Sequence, residues 1–408
     1  MAAPQILLID ESVKKIEYLF RLTGINIKLE EKSRFDKYRC LMIFIFNFLW
    51  LNTDVVAPIY WFVDGFVKQK KFTELTYVAS CFIYSIFSEI KVLGVLTNEK
   101  TIYLLIDKLR ELEIAMNNRS WLLEADNIIK TEHHNLQRLL KVLSTFYMTL
   151  IVIFSLSPLA LVFLNYYKTG ELEFLLPVSA TYPCDSSDMS YYPWIYMHQC
   201  IAVLIVIAYI TAADFLFYIL CTYLSMQFCL LQCYIVNLIP LDPRNVYHER
   251  ESIKSKIMEL IKWHQQILSS VDLLEIIYTR STLFNFVASS ILICLTGFNL
   301  VEIDSFVLTF LCFLLMSLLQ IFFLCLYGDI LKESSSTVGD AVYNSNWYLA
   351  DHQLAKIMLL ILIRSQVPCN LTAWGYAEVN LRAFMKICST AWSYFALLQT
   401  VYTGPNTV

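Results

Sequence analysis

Long apolar runs separated by charged gaps organise this chain. The runs cover Tyr38–Val63, Phe72–Leu96, Val142–Tyr167, Met189–Asn237, Ser281–Val301, Ser305–Tyr327 and Lys386–Tyr402. A bilayer core needs about 20 apolar residues per helix, so the pattern predicts an all-α membrane protein with seven transmembrane helices. The third and sixth runs carry no charge, and Pro158 is expected to kink the third. The fourth is too long for its task. It holds a single formal charge, Asp214, and as a helix it would reach about 70 Å. Its far half must leave the membrane, yet it stays apolar through Leu220, Leu224, Phe228, Leu231 and Ile235. Such a helix needs a protein partner. Pro240 to Pro243 predicts a turn, after which Asn245–Arg280 reads as a charged amphipathic helix leading into the fifth span. Asp107–Leu140 and Tyr343–Arg364 read as helices too polar to cross a membrane.

Charge gives these spans a direction. Of the 31 Lys and Arg, 27 fall before the first span, in alternate gaps after it, or at the mouth of the last; only Lys68, Lys70, Lys71 and Lys168 lie on the other side. Cytoplasmic loops carry the basic excess, so the N-terminus is expected inside and the C-terminus outside, the inverse of a G-protein-coupled receptor. The expected organisation is a cytosolic segment 1–37, spans one to six with long cytosolic extensions over 38–327, a cytosolic region 328–385, and the last span with an outer tail over 386–408.

Composition excludes a soluble globule: 57% of residues are hydrophobic and 16% charged, with a mean hydropathy of +0.55. The apolar stretch Ile6–Ile9 is too short for a cleavable signal, so the first span is expected to act as its own anchor. Most of the 12 cysteines sit in or beside apolar runs, where a free thiol behaves as a small hydrophobe. Cys184 in an outer loop, with Cys200 near a span end, makes one candidate disulfide; two free thiols are the alternative. No Cys/His grouping has metal-ligand spacing, no catalytic motif is present, and no internal repeat supports a transporter. No enzyme activity, cofactor or nucleic-acid partner is expected.

The C-terminal third is specific. It contains Gly328, Leu331 and Ser335 as Gly-x-x-Leu-x-x-x-Ser, then Tyr343 and Trp347 as Tyr-x-x-x-Trp, the stretch Leu359–Gln366, Pro368, and Leu371 to Ala373. It closes with Ser393, Tyr394, Phe395 and Leu398 as Ser-Tyr-Phe-x-x-Leu. This signature resembles that of insect odorant receptors, with weaker support from Ile90–Leu93 and Leu105-Ile106. The resemblance implies a subunit of a tetrameric, odorant-gated, non-selective cation channel, with a pore lined by span seven and a cytosolic helical anchor. The family's shared co-receptor carries a long insertion between spans four and five; this chain lacks one, so it resembles a ligand-tuned subunit that pairs with the co-receptor. Small neutral volatile odorants, membrane lipid and permeant cations are the other implied partners. The tail beyond the motif, through Gly404 and Pro405, departs from the family pattern.

Several residues carry both a bland reading and a functional one. Thr390, Tyr394, Leu397 and Val401 form a stripe at helical spacing, which is either a packing seam or, as the resemblance implies, the pore face. On that face Leu397 and Val401 form an apolar gate, with Thr390, Tyr394 and Thr400 lining the pore; an apolar constriction blocks ions by dewetting. Asp214 inside a span is a functional hypothesis by default, though a structural bond to Tyr or Thr of a neighbouring span is the favoured expectation. Asp54 and Glu89 near span ends are expected to reach water. The outer loops hold more acids than bases, either as ordinary solvated loops or as a cation-concentrating vestibule in which Glu302 and Asp304 are best placed. The resemblance puts the odorant pocket among the outer halves of spans two, three, four and six. Those halves offer Ser80, Ile83 and Tyr84; Tyr147, Ile151 and Phe154; Ile205 and Tyr209; and Leu308, Thr309 and Cys312. No charged side chain enters that set, which argues for a neutral ligand. The sequons at Asn118 and Asn370 fall on the expected inner side and should go unused. An insect gustatory receptor is the nearest rival reading, and a G-protein-coupled receptor a more distant one.

Overall fold

The computed structural model of the chain describes residues 7–25, 34–68, 70–117, 123–172, 174–182, 188–242, 247–303 and 307–403. The helices are α1 (Leu8–Thr23), α2 (Arg34–Val67), α3 (Phe72–Thr97), α4 (Glu99–Asn117), α5 (Leu123–Thr169), α6 (Tyr192–Val236), α7 (Arg250–Glu302), α8 (Val307–Ser336), α9 (Val338–Asn344), α10 (His352–Ser365) and α11 (Leu381–Thr403). A short hairpin, β1 (Thr372–Ala373) with β2 (Ala377–Glu378), precedes α11.

Among the described residues, six helices are long and apolar enough to cross a membrane: α2, α3, α5, α6, α7 and α8. The expected seventh, α11, has 23 residues, enough for about 35 Å. It interleaves Ser389, Thr390, Ser393, Gln399 and Thr400 with apolar positions, so its composition alone does not mark it as a span.

The apolar inner half of α6 finds its partner within the same chain. Leu220, Leu224, Phe228, Leu231 and Ile235 are all fully buried, covered by α1, α4, α5, α7, α8 and α9. The fourth span is thus the axle of the molecule. The shorter helices α1, α4 and α9 wrap one half of it together with the extensions of the longer ones.

Two expected helices are divided differently. Asp107–Leu140 is not one element: α4 ends at Asn117, and α5 opens at Leu123 and runs on through Pro158 as 47 residues of helix. The polar segment and span three are therefore one rod. Asn117, Asn118 and Ser120, all weak helix formers, occupy the break in sequence. Tyr343–Arg364 also splits. Ser345 is extended after α9, and Asp351 starts α10 by accepting from the backbone N–H of Gln353 and Leu354 at 2.8 and 2.9 Å. Asn245–Arg280 and span five do join, as α7.

The N-terminal segment contributes α1, whose buried face is Ile9, Val13, Ile16 and Phe20 at helical spacing. Glu113 of α4 accepts the orphan N–H groups of Leu8 and Ile9 at 2.6 and 3.2 Å, and Arg110 meets Asp10 at 2.8 Å. Burial pushes the Glu113 carboxyl above its usual range, against those two N–H groups. Gly24 ends the helix at φ 76°, and a Cβ there would lie 2.3 Å from the Phe44 nitrogen, so only glycine fits.

The C-terminal signature residues are packing devices. A Cβ on Gly328 would sit 2.3 Å from the Val379 carbonyl oxygen, so glycine lets the chain before α11 press against α8. Leu331 is fully buried, and Ser335 accepts the Cys369 N–H at 2.9 Å. The hairpin turns through Trp374 and Gly375 at φ 50° and 74°. It docks on α7 through Thr372 to Glu275 at 2.6 Å and the Trp374 N–H to Thr279 at 2.9 Å.

Candidate functional site

A small apolar cavity lies among α2, α3, α5, α6 and α8. It is bounded by Asp54 of α2, Cys81, Tyr84 and Ser85 of α3, Leu150 and Phe154 of α5, Val203, Val206 and Ile207 of α6, Phe313 and Met316 of α8, and Val178 of the outer loop. Its volume is about 50 Å³, room for a few waters but far below a typical ligand pocket of roughly 300–1,000 Å³. A volatile molecule enters only if side chains move. The mobile candidates are the aromatics: Phe313 lies 5.6 Å from Tyr84 and 5.4 Å from Phe154, ring centre to ring centre. The Tyr84 hydroxyl is held by Ser317 and by the Phe313 carbonyl.

The outer loop roofs this cavity. The Gln199 amide accepts the Val178 N–H at 2.9 Å and donates to the Val178 carbonyl at 2.8 Å. Its amide nitrogen also reaches the Tyr182 hydroxyl at 3.2 Å. Tyr182 lies 3.4 Å from His198 Nδ1, and His198 Nε2 lies 3.0 Å from the Thr53 hydroxyl, which donates to the Trp50 carbonyl at 2.6 Å. Beside this chain sits Asp54, only 13% exposed, with Oδ1 3.9 Å from His198 Nδ1. The expectation that Asp54 reaches water is corrected, because the folded-back loop and α6 close over it. Glu89 likewise accepts from Asn52 at 3.0 Å.

Of the residues expected to bind ligand, Tyr84 and Phe154 border the cavity. Ser80, Tyr147, Ile205, Tyr209 and Thr309 are buried in the surrounding packing, Ser80 bonded to the Thr76 carbonyl and Thr309 to Ser157. Ile83, Ile151 and Cys312 are half-buried against the same core. Leu308 is 55% exposed at the start of α8. The lining residues absent from that set are Asp54, Cys81, Ser85, Leu150, Val178, Val203, Val206, Ile207, Phe313 and Met316. Only Asp54, a charge inside an apolar run, carries a signal of its own in sequence.

Asp214 has a different partner from the Tyr or Thr expected. Its carboxylate pairs with Lys91 of α3 and accepts from Gln320 of α8 at 2.9 Å. Lys91 is therefore no solvated cytosolic charge; it is 4% exposed. The pair ties three spans together where the bundle passes into its cytosolic half. A buried charge persists only when paired and hydrogen-bonded.

On α11, Ile387 and Ala391 are buried against the bundle, Phe395 lies across Gly297, and Tyr402 packs on Phe72 and Phe298. Tyr394, Leu397 and Val401 are 56, 59 and 65% exposed, Thr400 is exposed and Thr390 half-buried. An open groove of about 680 Å³ runs between α11 and α7 beside their contact, edged by Thr390, Tyr394, Leu397 and Leu398. Glu302 is half-buried at the end of α7; Asp304, Cys184 and the Asn118 sequon lie outside the described residues. Among the described residues, no cluster of His, Cys, Asp and Glu could hold a metal ion.

A family model described as "7tm Odorant receptor" matches residues 71–392. Odorant receptor 67c of Drosophila melanogaster is 26% identical over 394 residues, covering 94% of each chain. The insect olfactory receptor OR5 from Machilis hrabei, in complex with eugenol, superposes with a TM-score of 0.81 at 18% identity, covering 96% of this chain and 98% of that one. A second structure of that receptor gives 0.76 at 16% identity, with the same coverage.

Proposed function

The chain belongs to the odorant receptor family, and on that premise we propose that it is the ligand-tuned subunit of an odorant-gated, non-selective cation channel. The family assignment favours this over the gustatory and G-protein-coupled readings. The observation that carries it is the division of α11 into a packed face and a free one. Ile387 and Ala391 are buried, while Tyr394, Leu397 and Val401 form an exposed stripe along the neighbouring flank of the helix. A membrane helix that keeps an exposed stripe of mixed Thr, Tyr, Leu and Val suits a pore wall. Leu397 and Val401 would close it as apolar rings.

In this reading the N-terminus is cytosolic, and four subunits, including the co-receptor, surround one pore in the plasma membrane of an olfactory neuron's dendrite. Glu302 and Asp304 would stand at the outer mouth and draw cations in. The contracted cavity under Val178 would take the odorant, with Tyr84 and Phe154 giving way to it. Ser80, Ile83, Tyr147, Ile151, Ile205, Tyr209, Leu308, Thr309 and Cys312 would shape the walls from behind or along the entry route.

The test is co-expression of the chain with and without the co-receptor while recording currents to an odorant panel. Odorant-evoked cation current that requires this chain supports the proposal. Absence of such current from a complex present at the surface would end it.

A further inference from the structure

The cavity contains one polar atom that no described residue satisfies. Asp54 Oδ1 is buried and has no hydrogen-bond partner among the described residues, in a site otherwise walled by Tyr84, Phe154, Val206 and Phe313. His198 Nδ1 stands 3.9 Å away, beyond hydrogen-bond reach, and the surrounding bonds explain why that nitrogen does not serve it. Thr53 has one hydroxyl proton and gives it to the Trp50 carbonyl at 2.6 Å. His198 Nε2, 3.0 Å from that same hydroxyl oxygen, must therefore be the protonated nitrogen. A neutral imidazole then presents Nδ1 as an acceptor, and Tyr182 supplies it a proton at 3.4 Å. Tyr182 in turn accepts from Gln199 at 3.2 Å. The polar chain from Gln199 to Trp50 is closed donor to acceptor, and it leaves Asp54 Oδ1 outside.

We propose that Asp54 is a ligand-recognition residue, and that the cavity selects volatile molecules carrying an O–H or N–H donor on an apolar body. This deepens the channel reading and rests on it. An ionised carboxylate only accepts hydrogen bonds, and a neutral one with its proton on Oδ2 still presents Oδ1 as an acceptor, so at Oδ1 the ligand must bring the donor. An alcohol, phenol or amine supplies one; an ether or ester of the same shape does not. A site built to hydrogen-bond a ligand rejects the analogue that leaves its buried group unpaired.

The experiment uses the surface-expressed complex with the co-receptor and matched probes: 1-octanol against its methyl ether, 2-phenylethanol against its methyl ether, and 2-phenylethylamine. Half-maximal concentrations should be lower for the donor-bearing member of each pair by roughly tenfold or more. Potency of the amine against 2-phenylethanol separates an ionised carboxylate, which favours the cation, from a neutral one. Asp54→Leu should bring the alcohol-to-ether ratio close to one without weakening the ether. Asp54→Asn, whose amide both accepts and donates, should retain potency towards the alcohol while narrowing the gap to the ether. Equal potency of alcohols and ethers at the wild-type complex overturns the proposal, even if Asp54→Leu fails to reach the surface. So does a preference that Asp54→Leu leaves intact. Silence towards the whole odorant panel strikes the channel reading instead, and a response without donor preference strikes the anchor alone.

Discussion

Gln199 holds the backbone of Val178 from both sides, its side-chain amide accepting the N–H at 2.9 Å and donating to the C=O at 2.8 Å. In effect α6 imitates a strand partner for a loop that has none. A buried, irregular backbone segment needs such satisfaction, and here it places an apolar residue, Val178, as the roof of the cavity.

The roof should therefore loosen when the amide is removed. Gln199→Leu leaves two buried backbone groups unpaired, at about 1–3 kcal/mol each. The expected outcome is a lower unfolding temperature of the purified complex and faster onset of odorant currents. Gln199→Glu keeps the acceptor for Val178 N–H and should fall between the two. Unchanged onset and stability in Gln199→Leu would show that the loop is held by other contacts.

The buried pair between Lys91 and Asp214 should behave as a unit. Lys91→Met or Asp214→Leu alone strands one charge in the bundle, a loss of about 3–5 kcal/mol, and should sharply reduce surface expression. The double substitution removes both charges and should recover most of the yield. A double mutant no better than either single one would mean that the carboxylate's bond from Gln320, at 2.9 Å, is the dominant tie.

Glu113 should give the docking of α1 a pH dependence of defined sign. Burial raises its folded pKa above the free value of 4.5. The folded chain then holds the proton more tightly than the unfolded one. This group's stabilising contribution is complete below pH 4.5 and declines as pH climbs through the raised value. Glu113→Gln removes that titration, so the difference in unfolding temperature between wild type and variant, wild type minus Gln, should fall as pH rises from 4.5 towards neutrality. A difference that stays flat, or rises, contradicts the sign.

Six of the expected spans were legible because each is a run of apolar residues long enough to cross, a property of consecutive positions. The cytosolic signature was legible as motif, and the structure supplies its reasons in Gly328 against Val379 and Ser335 under Cys369. What escaped were relations between distant positions. Lys91 stands in a charged gap and reads as solvated, but its partner is 123 residues away. Asp54 reads as a span-end charge near water until the outer loop folds back over it. The helix α1 was missed although Ile9, Val13, Ile16 and Phe20 keep helical spacing and Gly24 follows as a stop. For the same reason only Tyr84 and Phe154 of the expected pocket line the cavity, since a helical face can be inferred from spacing but its neighbour cannot.

The last test concerns the register of α11. Leu397 and Val401 are one turn apart and both more than half exposed, whereas Ile387 and Ala391 are buried. Leu398 follows about 100° round the helix and is half-buried at the edge of the groove against α7. If the exposed stripe closes the pore by excluding water, a hydroxyl there should favour a wet, conducting state. Leu397→Ser and Val401→Ser should raise current in the absence of odorant or change ion selectivity, partially in a mixed tetramer because this chain supplies only part of each ring. Leu398→Ser should instead lower expression through lost packing, with gating unchanged in the channels that survive. Altered gating at 398 alongside silent substitutions at 397 and 401 would shift the assigned pore face of α11 by one residue.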